Sequence, residues 1–155
     1  MARYVASVET LWEREEAFAY LADFAHIEDW DPGVVRAQGF SEDPLAIGAR
    51  FEVHSSFLGR EIPLVYETVE IEAPRRVLLR ADTPTAVSLD EMTFDRRPGG
   101  GTIVTYDADL RLKGPLRAFD LALRLAFQRL GDNARDGLRR KLGEPVPAGV
   151  GAETT

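Results

Sequence analysis

The chain contains no cysteine. That absence excludes disulfides, thiolate catalysis and Cys-ligated zinc. Histidine is almost as scarce: His26 and His54 are the only two, and neither has a second His at a ligand spacing such as i, i+4. Both read as surface residues, and no metal site is expected. Basic residues number 19 against 26 acids, a net charge of −7. Nucleic-acid binding needs a basic surface, so no nucleic-acid partner is expected. No stretch approaches the roughly 18 uncharged apolar residues of a membrane span, so stable membrane insertion is not expected. The opening MARYVASVETLWEREE lacks the apolar run of a signal peptide, and the expected location is cytoplasmic. The run Gly99-Gly100-Gly101 has no following helix and no Lys-Ser/Thr, so it reads as a hairpin turn rather than a phosphate loop. No cofactor is expected.

What the chain does have is room for one core: 155 residues, 45% hydrophobic and 29% charged. Its organising stretch is Gly114 to Leu142. Pro115 suits a first helical position, and Arg139, Arg140 and Lys141 suit the last turn before Gly143. Leu116, Phe119, Leu123, Phe127, Leu130, Ala134 and Leu138 fall on one face of that helix, which is expected to be buried. Ala118, Leu121, Ala122 and Leu125 form a second apolar stripe. A homodimer contact through Leu121 and Leu125, a covering loop or a lipid surface would each account for it. Gly131 and Gly137 each weaken the helix by up to about 1 kcal/mol relative to Ala, which allows a bend near Gly131.

Before this helix the period is that of strands. Arg3–Val8 alternates as a first strand, followed by a helix from Thr10 or Glu13 and a second short helix through Phe24, Ile27 and Trp30, stopped by Asp31-Pro32-Gly33. Six further strands are expected: Val34–Phe40, Ala49–Phe57, Glu61–Ile71, Arg76–Ala81, Val87–Asp95 and Thr102–Leu112. Short turn-rich links without helices imply antiparallel neighbours. Residues 144–155, rich in Pro, Gly and Ala, read as a disordered tail behind a single domain of 1–143. Seven strands need a large cover, and only the C-terminal helix is large enough. A curved sheet around a rod leaves space unless side chains fill it.

The order of several segments carries a resemblance. They are Leu21-Ala22-Asp23-Phe24, Trp30-Asp31-Pro32-Gly33-Val34-Val35, Ile47-Gly48-Ala49-Arg50-Phe51, Glu72-Ala73-Pro74-Arg75-Arg76-Val77, Gly100 to Tyr106, and Leu112 to Leu116. Over residues 3–142 the chain resembles the START-like (SRPBCC) superfamily of Bet v 1-type helix-grip proteins, and within it the bacterial polyketide cyclase/dehydrase and lipid-transport proteins. The resemblance implies an α+β helix-grip fold: a curved seven-stranded antiparallel sheet around a long C-terminal helix, with two short helices after the first strand. It implies an apolar cavity between sheet and helix for a lipid, polyketide or quinone-like molecule. It supplies no shared catalytic motif.

On this frame the expected ligand-binding residues are Phe51, Val53, Tyr66, Met92, Phe94, Tyr106, Phe119, Leu123 and Phe127, with Trp30 near the opening or, alternatively, capping the core from a structural turn. Asp90 shares strand parity with Met92 and Phe94, and so is the acid expected to point inward. Asp90, Glu67 and Tyr106 are the candidate catalytic groups, since a desolvated carboxyl beside a phenol can move protons. Three functions stay open: a binding protein for a small hydrophobic molecule, a polyketide cyclase or dehydratase, and a homo-oligomerising interaction module.

Overall fold

The computed structural model describes residues 1–57 and 59–150. The elements in chain order are β1 (Ala2–Thr10), α1 (Arg14–Ala22), a 3-10 turn (Phe24–His26), α2 (Ile27–Trp30), β2 (Val34–Gly39), β3 (Arg50–Phe57), β4 (Arg60–Glu72), β5 (Arg76–Asp82), β6 (Ala86–Arg96), β7 (Thr102–Leu112), a second 3-10 turn (Gly114–Phe119) and α3 (Asp120–Leu142). One seven-stranded sheet runs in the order β1-β7-β6-β5-β4-β3-β2, every neighbouring pair antiparallel. This is the helix-grip architecture expected from the sequence.

Alternation decides the two faces of the sheet. In β7, Thr102, Val104, Tyr106 and Ala108 point inward and are buried, while Asp107 and Asp109 point out. The outer face is laced with pairs such as Arg3–Asp107 at 2.6 Å and Arg76–Glu91 at 2.7 Å. Such exposed pairs contribute little to stability, so the inner face dominates. At α1, Glu13 and Glu16 form a capping box that starts the helix.

α1 and the first 3-10 turn close one half of the concave face with aromatic rings. Phe18 meets Phe94 edge-on at 5.3 Å, and Phe24 meets Phe51 at 6.3 Å. Phe51, Met92 and Phe94 are fully buried here. This half is solid, and these three residues, expected to line a cavity, pack against the helical plug instead.

The C-terminal rod is shorter than the sequence suggests. Gly114–Phe119 is a 3-10 turn, and the α-helix begins at Asp120. Phe119 therefore falls out of the inward stripe and is 61% exposed. The two glycines of α3 are seats rather than weak points. A Cβ at Gly131 would overlap the Tyr4 ring of β1, and one at Gly137 would overlap the Trp30 carbonyl oxygen of α2. The helix is continuous through both. After α3, the Glu144 carbonyl accepts a hydrogen bond from Trp12 Nε1 at 2.7 Å, and Val146 and Val150 pack on the core. Residues 151–155 of the expected tail lie outside the described residues.

Gly137→Ala is expected to destabilise the protein by about 2 kcal/mol or more, because overpacking against backbone outweighs the helix-propensity gain of up to ~1 kcal/mol. Gly143→Ala, where a Cβ meets only ordinary contacts, is expected to be near neutral. Urea unfolding of the two variants checks the difference.

Candidate ligand cavity

The other half of the concave face is hollow. A cavity of about 260 Å³ lies between the sheet and the first half of α3. Its roof is Leu123, Phe127, Leu130 and Ala134 of α3. Its floor is Ser88, Asp90, Tyr106 and Ala108 of β6 and β7, its side wall Val53, Leu64 and Tyr66 of β3 and β4. Thr83 and Thr85 of the β5–β6 turn, Ala86 at the start of β6, and Ser55, Ser56 and Phe57 of β3 also line it. Ligand pockets have this makeup: mostly apolar walls with a few placed polar groups.

Of the residues expected from the sequence to bind a ligand, Val53, Tyr66, Tyr106, Leu123 and Phe127 line this cavity, as does Asp90. Phe51, Met92 and Phe94 do not, because the aromatic plug fills their half. Phe119 does not, because the 3-10 turn rotates it outward. Trp30 is not at the opening; it is 1% exposed and backs Tyr106 edge-on at 5.6 Å. Glu67 sits between inward Tyr66 and Thr68, so it projects from the outer face, opposite Arg50 and Arg80 in the ladder. His26 stacks on Tyr20 at 4.2 Å, and His54 lies between Glu52 at 2.7 Å and Glu61 at 2.9 Å; neither reaches the cavity. Leu121 and Leu125 are 71% and 72% exposed.

The polar end of the cavity is built on Asp90. Tyr106 donates its hydroxyl to Asp90 Oδ1 at 2.5 Å, in the range of charge-assisted O–H···O⁻ bonds. Ser88 donates to Asp90 Oδ2 at 3.4 Å. The hydroxyls of Tyr66 and Ser88 share a hydrogen bond at 2.9 Å. A chain Tyr66–Ser88–Asp90–Tyr106 results. Burial raises the Asp90 carboxyl above its ordinary range, and the three hydroxyls oppose that rise. Burial first, and then the Asp90 charge, push the phenols of Tyr66 and Tyr106 well above theirs.

A second carboxyl, absent from the candidates read from the sequence, joins this end. Asp31 follows α2 and accepts the Gly33 backbone N–H at Oδ1, 2.8 Å away, closing the turn that Pro32 and Gly33 make. The same residue lines the cavity. Burial raises its pKa from 3.8 to about 6; the Gly33 N–H opposes the rise and Asp90 adds to it. The turn chemistry masked this role in the sequence. For Ser88 the signal was present, because it shares parity with Asp90, Met92 and Phe94.

Between about pH 4 and 6 the folded protein holds the Asp31 proton while the unfolded chain releases it, so this group makes stability fall as pH rises through that window. Asp31→Asn keeps the acceptor for Gly33 and removes the buried charge. It is expected to raise stability near neutral pH by about 1–3 kcal/mol and to flatten the decline between pH 4 and 6, read by urea unfolding across pH.

Solved structures share this fold at low identity. A START superfamily protein from Mycobacterium smegmatis is 10% identical with a TM-score of 0.74, covering 92% of this chain and 97% of that one. The Zhui aromatase/cyclase from Streptomyces sp. R1128 is 14% identical with a TM-score of 0.74, covering 94% and 96%. The major latex-like protein 151 from Panax ginseng is 14% identical with a TM-score of 0.56, covering 85% and 97%. No curated protein matches the sequence. The model of one family matches residues 1–143, and on that match the chain belongs to the polyketide cyclase / dehydrase and lipid transport family.

Proposed function

We propose that this protein binds a small, largely hydrophobic molecule between its sheet and α3. The observation that carries the reading is the hollow half of the concave face, about 260 Å³ lined mostly by aliphatic and aromatic side chains, with Ser and Thr also in the lining and its carboxyls at Asp90 and Asp31. A plain core would be packed throughout, as the half under α1 is. The volume suits a ligand with an apolar body of one or two rings or a short chain, of the lipid, polyketide or quinone-like kind. Membership of a family described by cyclases, dehydrases and lipid transport agrees with such a ligand.

A second reading, an enzyme of the cyclase or dehydratase type, is favoured by one observation: a buried carboxyl in a 2.5 Å hydrogen bond with a tyrosine hydroxyl at the cavity wall. Asp90 would take or return a proton on the bound molecule, and Tyr106 would hold a developing oxyanion.

Titration with the neutral fluorophore N-phenyl-naphthylamine is expected to give saturable fluorescence enhancement. Ala134→Phe, which fills the roof, is expected to weaken binding by about tenfold or more, worth ~1.4 kcal/mol, with unchanged circular dichroism. Enhancement that is absent, or indifferent to Ala134→Phe, would defeat the binding reading. Mass spectrometry of organic extracts from natively purified protein then identifies the natural compound. On that compound, Asp90→Asn is expected to abolish turnover with fluorophore binding retained if the protein is an enzyme, and to leave the compound unaltered in both forms if it is a carrier.

A further inference from the structure

The charge of the cavity lining is one-sided. Its polar residues are carboxyls and hydroxyls, and among the described residues no Lys, Arg, His, Asn or Gln lines it. The charges acting on its two carboxyls are those of other acids: Asp90 on Asp31, and Asp107 on Asp90. The two carboxyls differ in how they are satisfied. Asp90 receives Tyr106 on one oxygen and Ser88 on the other. Asp31 receives the Gly33 N–H on Oδ1, and among the described residues no donor reaches Oδ2. Asp31 Oδ2 is not a buried atom, so it is open to exchange its water for a cation held beside a largely desolvated carboxylate. A ligand with its own carboxylate or phosphate would instead place a further negative charge beside Asp31 and Asp90.

Resting on the cavity reading above, we propose that the ligand is an amine: an apolar body lies under α3 among Leu123, Phe127 and Ala134, and a protonated nitrogen donates to Asp31 Oδ2. Free fatty acids and other carboxylate lipids are then rejected by like charge rather than by size. Asp31 has bulk access for this exchange. With Val34 it lines both the cavity and an outer groove between α2 and α3. The charged groups of that groove are Glu28 and Asp29 of α2 and Asp136 and Arg140 of α3. Arg140, the cation among them, is turned to the Asp29 carbonyl at 3.3 Å and to Glu144 at 3.4 Å. On the cavity side Asp31 faces Asp90 and the phenols of Tyr66 and Tyr106. At neutral pH the Asp31 carboxyl, with a pKa of about 6, is ionised and available as a counter-ion.

The test is displacement of N-phenyl-naphthylamine by octylamine, octanol and octanoate, which share one apolar chain. Near pH 7.5 octylamine is expected to bind about tenfold or more tighter than octanoate, with octanol between them. In Asp31→Asn, which retains the acceptor for Gly33, the three are expected to fall within about threefold of each other. In the unaltered protein the amine-to-alcohol preference is expected to shrink as pH falls to about 5, because Asp31 gains its proton while the amine keeps its own. That second measurement holds even if the variant folds poorly. Octanoate binding as tightly as octylamine overturns the proposal. So does an amine preference that survives in Asp31→Asn, since the net charge of −7 would then explain it. Octanol binding with no amine preference defeats this inference and leaves the cavity reading standing. Failure of all three to displace the fluorophore defeats both.

Discussion

A curved sheet can bury its concave face only if the rod laid across it comes close along its length, and here that approach is made at Gly131 and Gly137. At the first, the Tyr4 ring lies where a side chain would otherwise stand; at the second, the Trp30 carbonyl does. Each glycine gives up helix propensity, and close packing against β1 and α2 offsets the loss. Tyr4 also donates to Asp132 at 2.8 Å, one helical residue beyond its seat. With the C-terminal half of α3 held down at these points, its N-terminal half, carrying Leu123 and Phe127, stands over the sheet as a roof.

The concave face is thereby divided in two. Under α1 the rings of Phe18, Phe24, Phe51 and Phe94 interlock and leave no room. Under the first half of α3 several of the inward residues are small: Ser88, Ala108, Ala86, Ala134. Small side chains on both floor and roof leave a volume that the backbone, pinned elsewhere, cannot collapse into. Asp90 stands in that half, where it can face the hollow and be met by three hydroxyls.

The same division gives the cavity its chemistry. Hydroxyl donors satisfy Asp90 within the protein, whereas Asp31 spends one oxygen on its turn and keeps the other free. Among the described residues the pocket has apolar walls, two acids and no base, and on the proposed reading it would select by charge as well as by shape. On the proposed reading, carriage and conversion would differ at the Asp90–Tyr106 pair, because the apolar lining serves both roles equally.

Much of this was legible in the residues. Alternation in β6 and β7 determined which side chains face inward, Asp90 and Tyr106 among them, since a strand has only two faces and one must be buried. The 3.6-residue period placed Leu123, Phe127 and Ala134 on the inner stripe of α3 for the same kind of reason. Strand order followed from short turns, and the family from the order of its segments. Which inward residues meet empty space was decided only in three dimensions. Phe51, Met92 and Phe94 have the same parity as the cavity floor, yet a helix distant in sequence fills their half. Phe119 has the right spacing, yet a 3-10 turn at Gly114 changes its angle. Asp31 reads locally as a turn residue and becomes a cavity wall only because α3 and the sheet meet around it. Periodicity reports the direction of a side chain relative to its own backbone, while packing, burial and a shifted pKa depend on what another part of the chain places opposite.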